Sequence, residues 1–307
     1  MKIWILSSEI PTYNPGGIAR YVDNFSRYLA RDGHELTVIS RAEKADTIEV
    51  VPGYRLHTFR ARYDAAGEAC GPSQADQANF PYNTMDYWTA HAFQLAEVVQ
   101  QLAGVEGNPD VIESQEYGGI AYYVQQRQLT EPGYLENVPI LINAHSPDFI
   151  LRKVNEEPAY QFPAYWTGQL EKACIRAADT VIAPSQYLAS QLEGLMDGLS
   201  VESIPLPWTD LSELNGQVEV KDHEVMYLGR LEVRKGVLKM LREVESMWLD
   251  GVVFKLTLVG GDCAYSPRNT TVRTFIEKRY ADWIERGFLV IEGPLDHRDL
   301  MLRIREQ

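Results

Sequence analysis

Short apolar runs recur along the chain, each followed by a glycine- or proline-rich break and then by a segment with helical spacing. Residues 2–7 (KIWILS) are apolar without alternation, as in a strand buried on both faces of a parallel sheet. Ile18, Tyr21, Val22, Phe25, Tyr28 and Leu29 then repeat at helical spacing, Gly33 is a stop signal, and residues 35–40 return as a strand. Strand, helix and strand in that order require a crossover and parallel pairing. The same reading places strands at 109–114, 138–144, 179–184 and 201–207. Helices are expected from a cap at Thr84 or Asp86 to Leu102, from Ile120, over 166–178, and after a cap at Ser185. Residues 50–59 read as a strand or hairpin, whereas 61–85 show little periodicity.

A second series begins after the charged stretch from Asn215. Residues 225–236 (VMYLGRLEVRKG) read as a buried strand, a tight turn at Gly229, and a loop that carries Arg230 and Lys235 into a helix. Leu238, Leu241, Val244 and Met247 give that helix an apolar face. A strand at 254–259 ends in Gly260-Gly261-Asp262, a helix spans about 271–286, and a strand at 288–292 runs into a loop containing Leu295. The expected fold is α/β, with two Rossmann-like parallel-sheet domains at 1–215 and 216–307.

Composition narrows the partners. The 307 residues are 45% hydrophobic and carry a net charge of -14, unevenly placed. Residues 221–307 hold 15 Lys and Arg against 14 Asp and Glu, leaving 14 basic and 29 acidic residues in 1–220. An acidic first part argues against nucleic acid or an anionic membrane surface as its partner. Cys70, Cys174 and Cys263 are far apart, so neither a zinc site nor a disulfide framework is indicated. No signal peptide or membrane span is read, and a cytoplasmic location is expected.

The candidate chemistry gathers where strands end. Gly229 lets the backbone come close to a ligand, and two cations at a helix start suit a phosphate; the alternative is a pair of solvated loop residues. Gly16-Gly17 follows the first strand, at the ligand edge of an open α/β sheet, or is simply a turn needing positive φ. Glu116 either hydrogen-bonds sugar hydroxyls or caps the next helix. His145 breaks its strand at the same edge, as a donor to a ligand or as a satisfied loop residue.

These segments resemble a known family. The motif G-R-L-x-x-x-K-G after a strand, P-x-x-x-x-G-G-I-A-R-Y followed by G-H-E-L-T-V-I, the strand-then-His at His145, and A-D-x-V-I-A-P-S are similar to retaining GT-B glycosyltransferases of family 4. Glycogen and starch synthases have a Lys before the glycines where this chain has Asn14-Pro15, which disfavours the polysaccharide synthases. The resemblance implies a hexosyl transfer from a nucleotide-diphospho-sugar to a hydroxyl acceptor in glycan biosynthesis, with retention. It implies catalytic roles for His145, Arg230 and Lys235, and donor contacts from Gly16, Gly17, Glu116, Gly229, Gly260, Gly261 and Leu295. No cofactor and no metal are expected. Family chains run on into a Pro-Ser loop and an E-x7-E carboxylate pair. Neither follows Leu300, so the second domain is expected to be incomplete, less stable than the first or covered by self-association. Two alternatives stand: a nucleotide- or sugar-binding module without turnover, and a GT-B epimerase or phosphorylase.

Overall fold

The computed structural model describes residues 1–14, 16–62, 80–207, 223–295, 299–300 and 303–304. The chain divides into two compact units, Met1–Ile150 with Ala159–Thr209, and Leu151–Pro158 with Asp210–Gln307. The boundary expected after residue 215 falls within 208–222, outside the described residues.

The first unit runs β1 (Lys2–Ser7), α1 (Gly17–Arg31), β2 (Glu35–Ala42), β3 (Asp46–Val51), β4 (Tyr54–Arg60), α2 (Tyr87–Glu106), β5 (Val111–Gln115) and α3 (Tyr122–Thr130). It continues through β6 (Ile140–Asn143), the start of α4 (Asp148–Val154), α5 (Ala164–Ala177), β7 (Thr180–Ala183), α6 (Gln186–Leu195) and β8 (Glu202–Ser203). The strands form one sheet in the order β3-β4-β2-β1-β5-β6-β7-β8. All pairings are parallel except that of β3 with β4, a hairpin turned at Gly53.

The lack of alternation in β1 has a direct structural counterpart. Trp4 and Leu6 pack into one core with Leu95, Val99 and Ile175, whereas Ile3 and Ile5 pack into another with Tyr21 and Val22. Both sheet faces are covered by helices, so the four central positions, Ile3 to Leu6, are all apolar. Asp86 caps α2 by accepting from Trp88 and Thr89 amides, and Ser185 caps α6 by accepting from Leu188. Tyr28 departs from its expected apolar face and is 64% exposed.

The second unit runs β9 (Glu224–Leu228), α7 (Val237–Leu249), β10 (Lys255–Val259), β11 (Ala264–Tyr265), β12 (Thr270–Thr271), α8 (Val272–Arg279), α9 (Ala281–Glu285) and β13 (Leu289–Glu292). Its parallel sheet has the order β13-β10-β9, and β11 and β12 form a short antiparallel ribbon. Three expectations change. β9 is not buried: it lies at the end of the strand order, with Val225 48% and Leu228 40% exposed. Trp248, not Met247, completes the buried face of α7, one turn beyond Val244. The helix expected over 271–286 is two helices that meet at Tyr280. No described helix is long and apolar enough to cross a membrane.

Candidate functional site

In the first unit, β1, β5 and β6 are neighbours, so the loops after their carboxyl ends gather at one edge of the sheet. His145 follows β6 and is half-buried. Its amide donates to Glu116 Oε2 at 2.8 Å, and the Ser146 amide donates to Glu116 Oε1 at 2.5 Å. Glu116 itself is 0% exposed, so its carboxylate braces the His145 loop from beneath. Both of its oxygens are engaged by backbone amides of the His145 loop, and its side chain makes no capping bond to the turn that follows β5. Burial pushes its carboxyl up to about 7, against the lowering effect of those amides.

A second carboxylate extends the brace. Glu171, on the buried face of α5, accepts from the amides of Gly118 (2.9 Å), Asp148 (3.0 Å) and Phe149 (3.2 Å). It therefore caps α4 from a neighbouring helix and holds the turn after β5 at once. Burial raises its carboxyl to about 8, and nearby Glu116 and Asp148 add to the rise. Gly118 is required here. Its φ is +75°, and a Cβ would lie 2.2 Å from the Trp88 ring.

The His145 ring stands edge-on to Tyr21 of α1, with centroids 4.9 Å apart. Tyr21 donates to buried Glu113 at 2.6 Å, and Asn143 donates to the same oxygen at 3.2 Å. Burial holds the Glu113 carboxyl above its ordinary range and pushes the His145 imidazole down to about 4. At neutral pH the imidazole is therefore uncharged and offers one N–H donor. Gly16, the cap of α1, and Gly17, its first residue, are both exposed. Glu9 accepts from the Ala19 amide at 3.3 Å, and its carboxylate would touch a Cβ at Gly16. The first turn of α1 already faces a carboxylate, which disfavours a diphosphate there.

In the second unit the cation loop rests on a close backbone approach. A Cβ at Gly260 (φ +155°) would lie 2.0 Å from the Gly229 carbonyl oxygen, so the turns after β9 and β10 touch. The Gly229 amide donates to Val259 O at 3.0 Å and the Leu231 amide to Gly261 O at 2.8 Å. Arg230 and Lys235 are exposed. Arg230 directs Nε and a terminal nitrogen to Cys263 Sγ at 3.3 and 3.1 Å, and its carbonyl accepts from Tyr227 OH at 3.1 Å. Arg234 is committed elsewhere. It pairs with buried Glu232 at 3.1 Å, and Asn155 Nδ2 also donates to Glu232, at 2.8 Å. Burial acts to raise the Glu232 carboxyl, but Arg234 and Asn155 outweigh it and hold it below the ordinary range. Lys235 makes no ion pair among the described residues. Gly236, in the left-handed region at φ 74°, turns the loop into α7. Leu295 follows β13 and is 37% exposed.

The structure thus gathers Gly16, Gly17, Glu116 and His145 in one unit, and Gly229, Arg230, Lys235, Gly260, Gly261 and Leu295 in the other. Sequence reasoning missed Glu9, Glu113, Glu171 and Cys263. Two of them left a signal, a carboxylate within a doubly buried strand (Glu113) and one on the buried face of a helix (Glu171).

Two parallel sheets flanked by helices, each with its loops at the carboxyl edge, are the GT-B type of α/β architecture. The profile of Glycosyltransferase Family 4 matches residues 15–199, more than half of the chain, and the chain belongs to that family. Among solved structures it is similar to the catalytic domain of starch synthase IV from Arabidopsis thaliana bound to ADP and acarbose, at 14% identity and TM-score 0.60, covering 99% of this chain and 76% of that one. Trehalose-6-phosphate synthase (OtsA) matches at 13% identity and TM-score 0.61, again over 99% and 76%. UGT89C1 of Arabidopsis thaliana, complexed with UDP-L-rhamnose, matches at 9% identity and TM-score 0.51, over 100% and 72%. No curated protein matches.

Proposed function

We propose that this glycosyltransferase moves a hexose from a nucleotide-diphospho-sugar to a hydroxyl acceptor, with retention, and that Arg230 and Lys235 hold the diphosphate. The observation that carries the reading is the cation loop. Two cations stand exposed at the carboxyl edge of a parallel sheet, on turns that only glycine permits, while Arg234 is neutralised by Glu232. As the bond from the anomeric carbon to the phosphate oxygen breaks, its electron pair and charge pass to the diphosphate. Fixed cations stabilise that state more than the ground state. The acceptor oxygen bonds to the anomeric carbon on the face the phosphate leaves, and its proton passes to the departing phosphate oxygen. Neutral His145 donates a hydrogen bond to the donor sugar. The backbone at Gly16-Gly17, beside Glu9, suits sugar hydroxyls better than phosphate, because hydroxyls can donate to a carboxylate. Glu116 and Glu171 act through the loop they brace.

The test is a panel of UDP-, ADP- and GDP-sugars with mixed hydroxyl acceptors, run on the protein and on Lys235→Ala. Transfer with the anomeric configuration kept, slowed about 10²-fold by the substitution, supports the reading. An equal rate in both proteins removes Lys235 from the mechanism. Nucleotide binding with no donor consumed favours a binding module, and donor conversion without acceptor an epimerase or phosphorylase.

A further inference from the structure

Among the cations of the Arg230 loop, two are held by very different partners. Arg234 is paired to a carboxylate, which cancels its charge. Arg230 instead spreads two N–H donors onto the sulfur of Cys263. A thiol is a weak acceptor, and two N–H donors converging on one sulfur hold the guanidinium in one orientation. The sulfur is itself held in place. The Cys263 amide donates to Asp262 Oδ1 at 2.8 Å, and its carbonyl accepts from the Val272 amide at 2.9 Å. Asp262 Oδ1 also accepts from the Arg273 amide at 2.9 Å, and Asp262 bridges to Leu231, the residue after Arg230. Arg230 is thus fixed at both ends, its carbonyl by Tyr227 and its guanidinium by a sulfur anchored to the start of α8.

We propose that Cys263 is a positioning residue for donor binding: its thiol pre-orients the Arg230 guanidinium toward the nucleotide diphosphate. The inference rests on the proposed role of Arg230. Pre-orientation lowers the entropy lost when a phosphate is bound, so it acts on affinity for donor and product nucleotide alike and leaves the chemical step alone.

The experiment uses the full chain and its Cys263→Ala, Cys263→Ser, Arg230→Ala and double Cys263→Ala/Arg230→Ala variants. Affinity for UDP and ADP is measured by calorimetry, and the donor KM and kcat by transfer assay. Cys263→Ala is expected to weaken nucleotide binding and raise KM about fivefold, with kcat within about twofold. Ser, a small acceptor at the same place, restores most of the loss, and Cys263→Ala adds nothing in the Arg230→Ala background. Wild-type affinity in Cys263→Ala alongside a weakened Arg230→Ala overturns the inference and leaves the donor reading standing. Unchanged affinity in Arg230→Ala overturns both. An equal loss from Cys263→Ala with and without Arg230 shows a general structural role and overturns the inference alone.

Discussion

The His145 loop and the Arg230 loop each close a parallel strand at its carboxyl end, and they are fixed by opposite means. Buried carboxylates hold the first: Glu116 and Glu171 together accept from the amides of His145, Ser146, Asp148 and Phe149. The loop is braced by buried carboxyl oxygens inside the fold, and the ring it presents is neutral. The second is held by backbone contact between glycine turns and by a sulfur, and it presents exposed cations. Geometry is therefore the task of the acidic unit and charge that of the other. Losing a brace should damage folding of the first loop, whereas losing a cation should damage binding at the second and spare stability.

The sharpest way to break this contrast is to exchange the expected outcomes. Arg230→Ala should slow transfer about 10²-fold in an initial-rate assay while leaving the melting temperature within about 1 °C, since an exposed cation contributes little to folding. Glu171→Ala should do the reverse. Removing it strands two buried amides and a partly buried one and costs about 3 kcal/mol in urea unfolding, a loss read as a lower midpoint with an unchanged slope. Within the cation loop, stability should reside in the turns. Gly260→Ala should cost about 2 kcal/mol by thermal unfolding, because its Cβ meets the Gly229 carbonyl. Gly17→Ala should be near neutral, having nothing within 4 Å of the added atom.

The smallest effect is one of pH. In the folded state the carboxyls of Glu116 and Glu171 sit above their ordinary range, at about 7 and about 8. Their contribution to stability is full below the ordinary carboxylate range and fades as pH rises through those values. Melting temperatures taken between about pH 5 and about pH 9 should fall with pH more steeply in the wild type than in Glu171→Gln. Equal slopes would remove Glu171 as a source of the dependence.

How far the sequence reached follows the same physical divide. Buried parallel strands write themselves as short, mostly apolar runs without alternation, so β1, β5, β6, β7 and β10 are legible to within about two residues. Capping residues were legible too, because Asp86 and Ser185 act within a few positions of themselves. β9 was misread as buried, since an apolar run does not reveal whether its strand ends the sheet. What stayed hidden is long-range in the chain. Glu171 reaches Gly118 across 53 positions, Arg230 reaches Cys263 across 33, and Asn155 reaches Glu232 across 77. Glu116 shows the limit well. Its place at a strand's carboxyl end was clear, but its engagement by the His145 loop, 29 positions on, depends on β6 pairing beside β5.

The central claim, that charge recognition belongs to the Arg230 loop and geometry to the His145 loop, is tested most directly by calorimetric titration of UDP and ADP into the full chain and two variants. Arg230→Ala should weaken the tighter-binding nucleotide at least about tenfold, and His145→Ala should stay within about twofold of the wild type. The opposite ranking, with affinity lost in His145→Ala and kept in Arg230→Ala, would contradict the account.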